Sequence, residues 1–269
     1  MRMAYFDCFA GISGDMTLGA LVDAGVELAW LRDELAKLPV SGYSLEAQTV
    51  KRGGFRATKV HVLVDEQQQP SRRYTDIVAM IRDSTLAPVV QQGALAIFRR
   101  LGEVEARLHD ETLEQIHFHE VGAVDSIVDV VGAVIGLQAL GIDTVMVSPV
   151  NVGHGAVRAA HGLLPVPAPA TLELLKGCPA YAGIIRREMT TPTGAAIITT
   201  LAQRFGPLPL LTVEAIGYGA GGRNPAELPN VLRVIIGEAI EPVEVPGPPP
   251  GHQHQHAGPQ AHPHPHPHA

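Results

Sequence analysis

The hydrophobic and polar positions divide the chain into a patterned body and an unpatterned tail. Residues 3–7 form a short apolar run suited to a strand, and a glycine turn leads into helical periodicity over 16–24 and again over 28–38. Alternation over 43–50 and 58–64 predicts two strands joined by the turn Lys51-Arg52-Gly53-Gly54. Residues 74–83 and 89–108 predict helices, and 116–120 an extended segment. Residues 124–140 predict a strongly apolar helix closed by Gly141. Residues 145–148 read as a short buried strand, and 149–169, rich in Gly and Pro, as a long irregular loop. Helices over 170–176 and 193–205 and strands over 210–216 and 231–237 complete the body. No internal repeat is present. The mixture predicts an α+β (mixed α/β) fold, a compact body with helices packed on short sheets. The pattern does not rank strand orders.

From Glu241 the composition shifts abruptly to Pro, Gly, Gln and His. Such a segment buries too little apolar surface to fold, so residues 241–269 are expected to be disordered. The body, 1–240, is then one domain or two subdomains dividing near residue 110. Its hydrophobic content is ample: 46% of the 269-residue chain is hydrophobic, and with aromatics at 4% the core must be built from Leu, Val, Ile and Ala. A net charge of −7 argues against nucleic acid or an anionic membrane as the main partner. Two cysteines, Cys8 and Cys178, are too few for a disulfide scaffold, and a reduced, cytoplasmic setting is expected. Neither a signal segment nor a run of eighteen apolar residues is found.

The stretch 115–129 carries the strongest chemical signal. It places His117, His119, Glu120, Asp125 and Asp129 in a run that is otherwise almost wholly apolar. Buried charges are normally paired or metal-bound. In an extended segment His117 and His119 share a face, and Asp125 and Asp129 are i,i+4 on the following helix. All five are candidate ligands for a divalent transition metal, and N/O ligation alone does not choose among nickel, zinc, cobalt and manganese. The alternative is that the acids cap the helix and the histidines bond to them. Asp125 suits that role; Asp129, a turn inside an apolar helix, does not.

Four other segments are candidates. In 7–15, strand, glycine turn and helix start could present Asp7, Gly11, Ser13, Gly14 and Asp15 to a phosphate, or simply form a tight turn with Ser13 or Asp15 as N-cap. Cys8 reads as a soft ligand or a small buried hydrophobe. In 151–162, His154 and His161 flank Arg158 among glycines, offering proton transfer or ligation beside an anion-binding guanidinium. Thr191 before Pro192 marks a helix start where Thr191 and Thr193 could also hold an anion. Arg223 follows a glycine-rich run and could close over a phosphate or carboxylate. In the tail, His252, His254, His256, His262, His264, His266 and His268 make up seven of the thirteen histidines, a weak multiple metal-binding segment or a solubilising linker.

Taken together, 5–16, 117–129, His161-Gly162 with 165–175, and 191–196 resemble the LarC family of nickel-insertion proteins. The resemblance runs from residue 1 to about 239 and rests on five motifs in order. It implies CTP-dependent insertion of nickel into pyridinium-3,5-bisthiocarboxylic acid mononucleotide, a nickel chelatase of the lyase class. The product is the nickel-pincer nucleotide of lactate racemase. Implied with it are Ni²⁺, CTP with Mg²⁺ or Mn²⁺, apo lactate racemase as recipient, a homo-oligomer, and no nucleic acid or membrane. His154 or His161 would then take the ring proton. The chain departs from the family in two places. Ser71-Arg72-Arg73 stands where the family commonly has a His-Arg-His-like stretch, although Asp76 is kept. Family members usually continue past the His-rich linker into a CTP-binding domain, so the expectation here is the N-terminal part, with CTP binding supplied by a separate polypeptide. Without catalysis of its own, the chain would be a nickel metallochaperone or store. A weaker third reading is an unrelated metal-dependent hydrolase.

Overall fold

The structure, a computed structural model, describes residues 1–65, 72–118, 123–159 and 162–240. The order begins β1 (Arg2–Asp7), α1 (Gly14–Asp23), α2 (Leu28–Leu35), β2 (Tyr43–Arg52) and β3 (Phe55–Val64). Then come α3 (Tyr74–Arg82), α4 (Pro88–His109), α5 (Val124–Ala139), β4 (Thr144–Val147) and β5 (Val150–Asn151). β6 (Gly155–Ala159), β7 (Gly162–Val166), α6 (Pro169–Leu174), β8 (Ala180–Tyr181) and α7 (Pro192–Leu201) follow. β9 (Arg204–Phe205), β10 (Leu211–Ala220) and β11 (Val231–Ala239) complete the described elements. This is the α+β arrangement expected. The tail histidines, His119, Glu120 and His161 lie outside the described residues.

A mixed seven-stranded sheet runs β2-β3-β10-β11-β1-β4-β9. Alternation in β1 decides how it is covered. Ala4 and Phe6 point into the main helical core, while Met3 and Tyr5 join Met146 and Ile235 on the other face. The helical layer centres on α5, which is apolar almost all round and buries twelve of its sixteen residues. The main cluster draws from both sides of residue 110, with Leu18, Ile81 and Phe98 meeting Val130, Ile198 and Val234. Each such side chain contributes roughly 1.5–3 kcal/mol on burial.

Helix α1 is held closest of all. A Cβ on Gly219 would lie 1.7 Å from the Met16 carbonyl oxygen, and one on Gly217 1.9 Å from that of Ala20. A Cβ on Gly19 would sit 2.4 Å from the Thr58 carbonyl oxygen. On the α5 side, Cβ atoms on Gly132 and Gly136 would come within 2.7 Å of Leu18 and 2.8 Å of Leu21. Against the sheet the α1 backbone meets other backbone without side chains between, which only glycine permits, while on the α5 side the glycines make room for Leu18 and Leu21.

Three expectations are corrected, and one element is added. Residues 149–169 are not an irregular loop but contain β5 and the β6–β7 hairpin, with Ala156 opposite Pro165 and Arg158 opposite Leu163. Pro165 lacks an N–H, but a two-stranded ribbon has edges that need none. The helix expected over 193–205 stops at Leu201, and Arg204–Phe205 pair with β4. The strand expected over 210–216 runs on to Ala220, its glycines facing α1. Ala180–Tyr181 adds a short strand paired with β5 that its sequence did not signal. The β2–β3 hairpin matches its signal: Gly53 and Gly54, at φ +53° and +86°, form the two-residue turn between Arg52 and Phe55.

The close packing of α1 has a measurable consequence. Gly219→Ala should lower the unfolding free energy by about 3 kcal/mol, because backbone must move to admit the methyl group. Gly206→Ala, whose Cβ meets nothing within 4 Å, should change it by no more than about 0.5 kcal/mol. Urea unfolding of the two variants checks this; equal midpoints would refute it.

Candidate functional site

The turn after β1 and the segment before α7 are stitched together. Ile12 N–H donates to the Met189 carbonyl at 3.0 Å, and Thr191 N–H to that of Ile12 at 3.0 Å. Gly11, at φ +78°, leaves no room for a Cβ, which would lie 1.9 Å from the Met189 carbonyl oxygen. A Cβ on Gly194 would lie 2.4 Å from the Ile12 carbonyl oxygen. Two motifs almost 180 residues apart thus put the starts of α1 and α7 side by side. The start of α5 joins them, because Gly14 packs against Asp129, where a Cβ would lie 2.2 Å from Oδ2.

These three helix starts open onto one cavity of about 750 Å³. Ser13, Gly14 and Asp15 come from α1, Asp125, Ser126 and Asp129 from α5, and Thr191, Pro192 and Thr193 from the start of α7. Unpaired N–H groups and the helix dipoles make such ends electropositive. The rest of the wall includes β3 from Lys59 to Val62, the end of α4 with Glu105 and His109, Val157 and Arg158 of β6, Leu164 of β7, the start of the short α6 from Ala168 to Ala170, and Glu188.

Local chemistry sets the state of each group. Thr191 caps α7, its hydroxyl accepting from Gly194 N–H at 3.2 Å. Ser13 occupies the N-cap of α1 but spends its hydroxyl on Asp15 instead. Asp15 Oδ1 also accepts from Met16 N–H at 2.8 Å, and Asp15 Oδ2 is ion-paired with the buried Lys59. Asp125 Oδ1 accepts from Ser126 N–H at 2.8 Å. Asp129 Oδ1 is sealed from solvent without a hydrogen-bond partner. Burial, then the Asp15 and Asp125 carboxylates, push the Asp129 carboxyl well above the usual carboxylate range, against the pull of Lys59. On α4, His109 Nε2 lies 3.3 Å from a Glu105 carboxylate oxygen.

The sequence candidates divide. Asp125, Asp129, Ser13, Gly14, Asp15, Arg158, Thr191 and Thr193 line the cavity. His117 does not; it bridges to Arg73, whose Nε donates to His117 Nε2 at 3.1 Å. Asp7 is ion-paired with Arg233, and Gly11 is pressed on Met189. His154 Nδ1 lies 3.2 Å from the Gly183 carbonyl oxygen, and Arg223 is exposed, its carbonyl accepting from Asn230. Among the described residues no group of three or more His, Cys, Asp or Glu is placed to hold a metal ion. Sequence reasoning missed Lys59, His61, Glu105, His109 and Glu188. A lysine inside an alternating strand was a signal for the first; nothing local marked the others. It also missed Asn151, buried, whose amide donates to the Phe9 carbonyl at 2.8 Å and accepts from Gly153 and Gly183 N–H at 3.0 Å.

Fold and cavity together define an α+β protein in which convergent helix starts, Lys59 and Arg158 stand beside carboxylates in one recess. The chain belongs to the family described as nickel insertion protein, which matches residues 4–260. Two proteins of Desulfitobacterium hafniense are named pyridinium-3,5-bisthiocarboxylic acid mononucleotide nickel insertion protein. They are 55% and 54% identical to it over 238 residues, 88% of this chain and 59% of each relative. A relative from Citrifermentans bemidjiense is 54% identical over 241 residues, 90% of this chain and 63% of its own length. The chain thus spans about three fifths of the length of these relatives. No solved structure matches it. Among the described residues no helix is long and apolar enough to cross a membrane.

Asp129 carries a pH prediction. Its folded pKa is raised, so the folded state holds this proton more tightly than the unfolded chain. The stability it favours is fully present below the unfolded carboxylate pKa of about 4 and is lost as pH rises toward the folded value. Asp129→Asn should therefore melt higher than the parent at neutral pH, by several degrees, with the two converging near pH 4. Thermal melts in chelator across that range check the sign; a variant that melts lower at pH 7 would refute it.

Proposed function

We propose that this chain carries the site where nickel enters pyridinium-3,5-bisthiocarboxylic acid mononucleotide, in the CTP-dependent reaction that makes the nickel-pincer nucleotide of lactate racemase. The observation that supports this most is the single cavity that gathers three helix starts, Lys59 and Arg158 around three aspartates. Helix starts and cations suit a phosphate and two thiocarboxylates. Carboxylates suit a divalent cargo ion. Family membership and the names of the Desulfitobacterium relatives support the same reading.

The chemistry asks for three things: a seat for the nucleotide, a path for nickel(II), and a base. Nickel(II) replaces a ring hydrogen. The carbon–hydrogen bond breaks, its electron pair forms the nickel–carbon bond, the proton leaves to a base, and two sulfurs complete the ligation. The metal stays divalent throughout. The cavity wall offers His109, oriented by Glu105, as that base. Of the two bases expected from the sequence, His154 does not line the cavity and His161 lies outside the described residues. CTP with Mg²⁺ or Mn²⁺, a separate CTP-binding polypeptide, apo lactate racemase and self-assembly remain parts of the proposal. The tail histidines suit a nickel reserve that feeds the cavity.

An anaerobic assay tests it. The chain is mixed with the thiolated mononucleotide and Ni²⁺, with and without CTP and a CTP-binding polypeptide, and read by product absorbance and activation of apo lactate racemase. Product is expected in the complete mixture. His109→Gln should lower its rate about 10²-fold, the usual worth of a positioned base, and removal of 241–269 should leave insertion intact at saturating nickel. No product under any condition, together with loss of nearly all bound nickel on tail removal, would leave a nickel store instead.

A further inference from the structure

Lys59 is the buried cation of the cavity. Its side chain is 7% exposed, and its ammonium group reaches Asp15 from β3. Burying a lysine this deeply is costly unless it is paired. Asp15 supplies the pairing asymmetrically. Its Oδ1 is fixed by Ser13 Oγ and by Met16 N–H, whereas its Oδ2 takes Lys59. A carboxylate with one oxygen anchored to its own helix and the other on a flexible cation is a positioned ligand whose free arm is occupied by an ammonium. An ammonium has three donors, and the Asp15 contact uses one. Beside this pair lie Asp129, with Oδ1 unpartnered, and the starts of three helices.

We propose that the Lys59–Asp15 ion pair is an exchange couple. An anionic group of the incoming ligand, carboxylate or phosphate, takes the Lys59 ammonium. The released Asp15 Oδ2 takes the divalent metal ion, so anion and metal bind with positive coupling. Lys59 is then a positioning residue, and the deepening rests on the nickel-insertion reading only for the identity of the cargo. The balance of charge favours the exchange. Anion alone would leave Asp15 unpaired beside Asp125 and Asp129, and metal alone would meet the displaced ammonium. When both arrive, each charge gains an opposite partner, and linkage requires each to raise the affinity of the other by the same factor.

Manganese(II) is the better probe metal, because it favours carboxylates over the imidazoles of the tail. Binding of Mn²⁺ to the full chain is read by electron paramagnetic resonance, without CTP or thiolated nucleotide. It is measured alone, with pyridine-3,5-dicarboxylate, and with inorganic phosphate. The arm that strengthens Mn²⁺ binding identifies which kind of anion Lys59 receives. The expected gain is about tenfold, within the usual range of coupling between sites. Lys59→Met should bind Mn²⁺ more tightly than the parent without any anion and lose the gain. Asp15→Asn should lose the gain while still binding the anion by calorimetry. Circular dichroism confirms that each variant is folded, and if Lys59→Met is not, Asp15→Asn alone decides. Equal Mn²⁺ affinity in all three arms for the parent, or a gain that survives in either variant, would overturn the exchange. Since no insertion chemistry is read, this can fail while nickel insertion stands, and insertion can fail while the coupling is seen.

Discussion

The backbone contact between α1 and its surroundings is the constraint on which the rest depends. Gly217 and Gly219 of β10 and Gly19 of α1 bring helix and sheet to carbonyl distance, and Gly132 and Gly136 let α5 close from the other side. Interiors packed at this density do not deform continuously. The start of α1 therefore has one position, and Ser13, Gly14 and Asp15 are delivered to it. Asp129 follows from the same contact. It lies three residues before Gly132 on the same helical face, so the packing that seats α5 on α1 pushes its carboxyl under Gly14.

The second layer of order is electrostatic. Three helix starts facing one space would repel cations, yet α1 and α5 each carry aspartates there. Such acids complement the dipole, and a shared cavity turns that local preference into a cluster of like charges. Lys59 offsets part of it; burial first, and then the Asp15 and Asp125 carboxylates, keep the Asp129 carboxyl raised. A site built this way is polarised in both senses. Its amides and Lys59 suit an anion, and its carboxylates suit a metal ion. The chelation proposed for this cavity would bring both kinds of charge to one place, a demand that such a balance suits better than a dedicated metal cage does.

The wall facing the helix starts is assembled by chain segments that look unstructured in isolation. Asn151 holds the Phe9, Gly153 and Gly183 backbones together, and Thr190 donates its hydroxyl to the Asn151 carbonyl. The β6–β7 hairpin springs from this knot and carries Val157 and Arg158 to the cavity. A glycine- and proline-rich stretch thus gains its shape from side-chain hydrogen bonds to other segments, whose partners lie up to about 140 residues away.

By itself the sequence determined what depends on near neighbours. Periodicity located α1, α4, α5, β1 and the β2–β3 hairpin, and Gly53-Gly54 encoded their turn in two residues. The α+β class followed from that mixture, and the motifs around 7–15, 117–129 and 190–196 identified the family. An acid one turn inside an apolar helix marked Asp129. Tertiary structure alone decided what depends on distant partners. It paired Lys59 with Asp15, turned His117 toward Arg73, and brought His109 and Glu105 to the cavity. It also showed that Gly11, Gly217 and Gly219 serve backbone contact. A glycine needed for a turn and one needed for an approaching helix look alike along the chain, because the atoms that forbid a side chain belong to residues far away in sequence.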